Sequence, residues 1–201
     1  MQWLIELIHQ ENTVHDVDLY QVIYLFVYSW KVKFTEEEYT AMKKFEAQHH
    51  PDIWKWIINK VGTPENLSIL DVSEEACVFA LSLAESHTTN KLIIAARGDQ
   101  PGFDLPSNVT FKKVDFRKNF NDIEDLGQFD VIILNEVTHE ISDLTIFFNK
   151  LKALLKDGAP LVILSRPKNP PLPVPECCLM LWRKLAPTRE EILAAAQSVH
   201  I

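Results

Sequence analysis

Three polar residues follow a strongly apolar run in the second half of the chain. The run spans residues 129–134, and Asn135, Glu136 and His139 come directly after it. Such a run predicts a buried strand, and ligands in open α/β sheets bind where the strands end. An amide, a carboxylate and an imidazole there could position a substrate or accept its proton, with Glu136 and His139 as the candidate catalytic residues. The alternative is that these two residues only cap the loop or face solvent.

Other common catalytic and metal-binding patterns do not occur in the sequence. The neighbours His49 and His50 have neither a second ligand pair nor the HExxH spacing of zinc proteases. No Ser-centred elbow and no phosphate-binding P-loop is present. Cys77, Cys177 and Cys178 form neither an even disulfide framework nor a CxxC pair. We therefore expect no metal cofactor, and reduced thiols of the kind found in cytoplasmic proteins.

Length and charge restrict the class of partner. The chain has 201 residues, of which 47% are hydrophobic and 24% charged, as in an ordinary globular protein. A net charge of −8 with scattered basic residues argues against a nucleic-acid partner. The first residues do not read as a secretory signal, and the most apolar stretch, residues 22–30, is too short to span a bilayer. We expect a cytoplasmic protein with no membrane partner.

The spacing of apolar residues divides the chain into two parts. Helical periodicity runs through residues 1–62, which we interpret as an N-terminal helical segment packed on the core; its last helix begins near Pro51 and carries Trp54 and Trp56. Residues 63–201 alternate between strands and helices. Predicted strands span residues 67–72, 91–96, 109–114, 129–134 and 161–164; predicted helices span 74–86 and 144–155, and another begins at Thr188. Continuous apolar strands separated by helices indicate an α/β fold with a doubly wound, mainly parallel, Rossmann-like sheet.

The order of these elements and their local sequence motifs resemble those of the class I S-adenosylmethionine-dependent methyltransferases. The resemblance covers roughly residues 52–201 and is best over 128–141, an FD-led hydrophobic strand followed by a loop with a His-containing turn. Residues 147–160 resemble the amphipathic helix and "LKPGG"-like turn that precede the family's fifth strand. The resemblance implies the strand order 3-2-1-4-5 and a cofactor site at the C-terminal edge of the sheet.

The first cofactor position of the family departs from the usual pattern. Asp71 stands at the acidic position that ends the first strand, where relatives continue into a GxGxG loop. Glycine is needed there because the backbone must turn tightly and approach the cofactor without a Cβ. Ser73, Glu75 and Cys77 stand where the three glycines would be. Glu74 and Glu75 also place two carboxylates near the site of the cofactor's own carboxylate.

Of the two remaining cofactor positions, one departs from the family pattern and the other matches it. Arg97 stands where the second strand should end in an acid that accepts the ribose hydroxyls, and the nearest carboxylate, Asp99, comes later. Asp115, followed by Phe116, resembles the motif whose Asp accepts from the adenine amine. The cofactor contacts that the resemblance implies are therefore Asp71, Ser73, Asp115, Phe116 and Asn135. We expect S-adenosylmethionine binding to be lost or impaired, while residual nucleoside binding remains open.

The sequence predicts that one edge of the fifth strand has no neighbouring strand. Relatives continue past the last helix into an antiparallel pair of strands, for which this sequence leaves no residues. An exposed sheet edge must be covered or paired, so we expect a dimer or hetero-oligomer through this edge.

Three functions remain open from the sequence. The first is a degenerate methyltransferase homologue that works by binding, as a regulatory pseudoenzyme. The second is an active S-adenosylmethionine-dependent methyltransferase that acts on a small molecule. The third is an adaptor that uses the proline-rich residues 170–175.

Overall fold

A computed structural model describes most of the C-terminal two thirds of the chain. The described residues are 36, 37, 40, 51–73, 78–100, 102–116, 123, 125–135, 137–164 and 187–200. The proline-rich stretch, the candidate Glu136 and the loop positions Glu75 and Cys77 lie outside them. No helix within the described residues is long and apolar enough to cross a membrane.

The described residues form a parallel sheet with helices between its strands. Its strands are β1 (Ser68–Ser73), β2 (Lys91–Ala96), β3 (Val109–Lys113), β4 (Val131–Asn135) and β5 (Leu161–Leu164). The helices are α1 (Pro51–Val61), α2 (Val78–Ser86), α3 (Leu144–Leu154) and α4 (Arg189–Ser198), with a 3-10 turn over Thr138–Glu140. The strand order is β3-β2-β1-β4-β5 and every pairing is parallel. The predicted doubly wound α/β fold and its strand order are confirmed.

Side chains of each central strand alternate between two hydrophobic clusters. Ile69 of β1 joins Ile57 of α1 and Phe79 of α2 on one face, whereas Leu70 packs with Phe147 of α3 on the other. Successive side chains of a strand point to opposite faces, so a strand buried on both faces is apolar throughout. This is why the strands read as continuous apolar runs. The two-domain division at residue 62 and the oligomer through the edge of β5 stay predictions.

The fourth strand begins two residues later than its apolar run predicts. Asp130 uses its carboxylate to accept from the backbone N–H of Ser68 and from the Lys156 ammonium, both at 2.8 Å. Phe129 forms only an isolated bridge with Leu155, so the regular strand starts at Val131. The prediction of strand at Phe129 is wrong because this polar junction interrupts the ladder.

Two asparagine side chains fix the N-terminal ends of the strands. Asn90, which is 1% exposed, accepts from the backbone N–H of Leu67 at 2.9 Å and donates to the carbonyl of Pro64 at 3.0 Å. Asn108 donates from its amide to the carbonyls of Ala84 and Asn90, both at 2.9 Å. Buried backbone groups without partners are costly, so this network helps to set where β1, β2 and β3 begin.

Replacement of Asn108 by alanine is expected to lower the free energy of unfolding by about 1–2 kcal/mol, because two carbonyls lose a donor in a partly buried place. Urea denaturation measures this loss. Thr110→Ala, two residues further on and exposed, is the matched control and is expected to change stability by less than about 0.5 kcal/mol. Equal losses in the two variants would contradict a role for the network.

Candidate functional site

The C-terminal ends of β2, β1 and β4 bring three of the predicted cofactor residues together. Ser73 lies opposite Ala96 of β2 on one side and opposite Asn135 of β4 on the other. Neighbouring strands are about 4.8 Å apart, so Ser73 and Asn135 are adjacent. Asp71 precedes Ser73 by two residues and therefore shares its face of the sheet. Asp71 and Ser73 are fully buried and Asn135 is 5% exposed.

Asp71 and Ser73 are joined to each other by a hydrogen bond. The hydroxyl of Ser73 donates to Oδ2 of Asp71 at 3.1 Å. A buried carboxylate is stable only when hydrogen-bond donors surround it, and Ser73 supplies one of them. Ser73 occupies the position expected to be the first glycine of the cofactor loop. Its side chain is therefore engaged in a hydrogen bond within the protein.

An ion pair connects the two strands that flank β1. Arg97 is the first residue after β2, and Glu140 is the last residue of the 3-10 turn that follows β4. Nη2 of Arg97 lies 3.0 Å from Oε1 of Glu140, and the two side chains are only 18% and 13% exposed. Because β1 lies between β2 and β4, the pair joins the two sides of the sheet edge at which β1 ends. Glu140 was not predicted from the sequence, although an Arg in place of an acid was the signal for a carboxylate partner.

His139, one of the two candidate catalytic residues, lies in the same region. His139 lies half-buried in the 3-10 turn, beside the buried Thr138 and the ion-paired Glu140. The turn is closed by the N–H of Glu140, which donates to the carbonyl of Val137 at 3.0 Å. His139 and Asn135 are thus carried by the end of one strand and the turn after it. Glu136 lies outside the described residues, and the catalytic assignment of both residues stays a prediction.

The predicted adenine-binding pair lies at the end of β3. Val114 donates its N–H to the carbonyl of Ala96 at 2.8 Å, which places the half-buried Asp115 at the same edge as the other site residues. Phe116 is 2% exposed, and its ring meets that of Phe147 edge-on, with 6.5 Å between the ring centroids. Phe116 therefore belongs to the core, whereas Asp115 remains at the edge.

The nearest alternative acid for a ribose is engaged elsewhere. Asp99 Oδ1 lies 2.7 Å from Nζ of Lys113, in an ion pair whose side chains are 55% and 64% exposed. Asp99 is therefore paired with the last residue of β3. Within the described residues, no group of three or more His, Cys, Asp or Glu side chains could hold a metal ion.

Known proteins match this chain by structure. No protein-family model matches it, and no curated protein matches it by sequence. A SAM-dependent methyltransferase from Aquifex aeolicus matches with a TM-score of 0.52 and 18% identity, over 73% of this chain and 78% of that chain. An S-adenosylmethionine-dependent methyltransferase from Mesorhizobium loti matches with a TM-score of 0.52 and 14% identity, over 75% and 79% of the two chains.

A third match extends the comparison to a larger protein. The geranyl diphosphate C-methyltransferase from Streptomyces coelicolor, whose structure contains Mg²⁺, geranyl diphosphate and S-adenosyl-L-homocysteine, has a TM-score of 0.55 and 12% identity. The match covers 82% of this chain but only 65% of that chain, less than two thirds of its length. Identities this low establish the fold and nothing finer. The chain has the Rossmann-like fold of the class I S-adenosylmethionine-dependent methyltransferases.

Proposed function

We propose that this methyltransferase-like protein does not bind S-adenosylmethionine usefully and that it acts by binding, as a regulatory pseudoenzyme. The observation that carries the proposal is the Arg97–Glu140 ion pair at the end of β1. The family resemblance places an acidic residue at position 97, where it would accept hydrogen bonds from both ribose hydroxyls. The pair supplies the opposite chemistry at that place.

The donor and acceptor types do not fit the cofactor. A guanidinium only donates hydrogen bonds, so the ribose hydroxyls would have no acceptor at Arg97. The carboxylate of Glu140 already neutralises that guanidinium at 3.0 Å. Truncating or displacing one partner of a sheltered, hydrogen-bonded charge pair costs about 2–5 kcal/mol, whereas one neutral hydrogen bond returns about 0.5–1.5 kcal/mol. The comparison of these magnitudes favours the ion pair over the ligand.

The side chain of Ser73 adds a steric reason why the cofactor would not bind. This side chain is fully buried and bonded to Asp71, so the backbone at this position carries a Cβ and a hydroxyl where relatives carry neither. The carboxylates of Glu74 and Glu75 follow directly in the sequence. The cofactor brings a carboxylate of its own, and a sequence with two further carboxylates beside its binding loop favours repulsion over binding. These features together support loss of the cofactor.

An active methyltransferase that acts on a small molecule is the second candidate. It is favoured by the position of Asp71, Asn135 and Asp115, which all lie at the C-terminal ends of their strands. His139 lies in the turn after β4 and would then position the substrate's nucleophile or accept its proton.

Titration calorimetry with S-adenosylmethionine and with S-adenosylhomocysteine separates the two candidates. We expect no saturable heat up to about 1 mM ligand, which corresponds to a binding free energy weaker than about −4 kcal/mol. An active methyltransferase titrated in the same buffer serves as the positive control. A dissociation constant in the micromolar range for either ligand would overturn the pseudoenzyme proposal and support the enzyme.

A further inference from the structure

Helix α1 is joined to the end of α2 by a hydrogen bond between two aromatic rings. The indole Nε1 of Trp54 donates to Nε2 of His87 at 3.0 Å, and the ring centroids are 5.1 Å apart at an interplanar angle of 44°. Trp54 lies on α1 and His87 directly follows the last residue of α2. Both rings are half-buried. This is a specific polar contact in an otherwise apolar contact region.

The contact requires the neutral form of the histidine. An indole has a donor and no acceptor, so Nε2 of His87 accepts only while it carries no proton. The proton of the neutral ring then resides on Nδ1. Protonation of Nε2 would place two N–H groups against each other and abolish the hydrogen bond. Histidine is the side chain that ordinarily makes this change in the physiological pH range.

The C-terminal end of α2 lies next to His87 and is electrostatically favourable for a cationic ring. The backbone N–H of His87 donates to the carbonyl of Leu83 at 2.9 Å, so the residue closes the last turn of the helix. The C-terminal end of a helix carries a partial negative charge, which attracts a cationic imidazole. A protonated ring at this position would be attracted to the helix end and could no longer accept from Trp54.

No charged side chain within the described residues forms an ion pair with His87. Lys60 of α1 lies over the ring of Trp56, with its Nζ 5.6 Å from the ring centroid. Glu65, in the turn after α1, accepts from the hydroxyl of Thr89 at 3.3 Å. The other charged residues of α1 are Asp52 and Lys55, and α2 carries Glu85.

We propose that His87 makes the packing of α1 against α2 and the sheet sensitive to acid, through the hydrogen bond with Trp54. Apolar contacts also hold the helix: Ile57 is fully buried, and Ile53 and Val61 pack against the same cluster. Loss of one hydrogen bond consequently loosens α1 without releasing it. The device would make the attachment of α1 depend on the pH of the surroundings.

Amide hydrogen exchange of the full chain tests the proposal. Protection factors of the α1 amides, corrected for the intrinsic effect of pH, are compared at about pH 8.0 and about pH 6.0. The lower value stays above the sequence pI of about 5.4. We expect protection in the native chain to fall roughly two- to fivefold at the lower pH, the effect of one modest hydrogen bond. The β1 amides are the internal reference and are expected to stay unchanged.

Two conservative variants decide the interpretation. Trp54→Phe keeps every titrating group but has no donor, so its α1 protection is expected to be low and independent of pH. His87→Gln retains an acceptor that does not titrate, so its protection is also expected to be independent of pH. The proposal is overturned if protection in the native chain does not change with pH. A pH-dependent fall that persists in Trp54→Phe would overturn it as well.

Discussion

A five-residue variant is expected to bind S-adenosylhomocysteine at least about 100-fold more tightly than the native chain. It combines Ser73→Gly, Glu75→Gly, Cys77→Gly, Arg97→Asp and Glu140→Gln. The new carboxylate at position 97 would accept the ribose hydroxyls through charged hydrogen bonds, each contributing about 1.5–3 kcal/mol. A gain of about 2.7 kcal/mol corresponds to a factor of about 100 in the dissociation constant. Glu140→Gln removes the carboxylate that would otherwise repel the new one.

Partial variants separate the ion pair from the glycine loop. The three glycine replacements alone leave the Arg97–Glu140 pair in place, and we expect them to bind no ligand up to about 1 mM. The pair of replacements at positions 97 and 140 alone is expected to give intermediate affinity. The role given to the ion pair is wrong if the glycine variant binds as tightly as the full one. Far-UV circular dichroism establishes that each variant is folded before it is titrated.

The fold was predictable from the sequence because burial on both faces makes a strand apolar throughout. The runs at residues 91–96 and 161–164 have the same bounds as β2 and β5 in the structure. The last helix was also predictable at its start, since Thr188 and Glu191 form a reciprocal capping box. Local signals of this kind depend on neighbours in the chain, which the sequence displays directly.

Contacts between distant residues were not predictable in the same way. Arg97 was recognised as out of place, but its partner Glu140 follows 43 positions later and belongs to a turn that is defined only once β4 is placed. The hydrogen bond between Trp54 and His87, which are 33 positions apart, depends on how α1 packs against the end of α2. Phe116, which the resemblance implies as a cofactor contact, is buried in the core with its ring against Phe147, and its role as a contact stays a prediction.

Removal of either partner of the Arg97–Glu140 pair is expected to destabilise the protein by about 2–3 kcal/mol, because the remaining charge is left with little solvent. For a chain of this size that corresponds to a fall in Tm of about 4–12 °C. The double variant Arg97→Ala/Glu140→Ala is expected to lose less than the sum of the single variants. The resulting coupling is expected to be about 1–2 kcal/mol, measured by urea denaturation in a double-mutant cycle.

The Lys113–Asp99 pair is the matched control in the same sheet. Its N–O distance of 2.7 Å is shorter than the 3.0 Å of the Arg97–Glu140 pair, but its side chains are more than half exposed. Exposed pairs contribute about 0–1 kcal/mol because water screens both charges, so we expect a coupling below about 0.5 kcal/mol despite the shorter distance. About 1 M salt should abolish the weak coupling and leave most of the strong one. Equal couplings, or loss of both in salt, would mean that the Arg97–Glu140 pair is an ordinary surface contact, and the barrier to the cofactor would then rest on the loop alone.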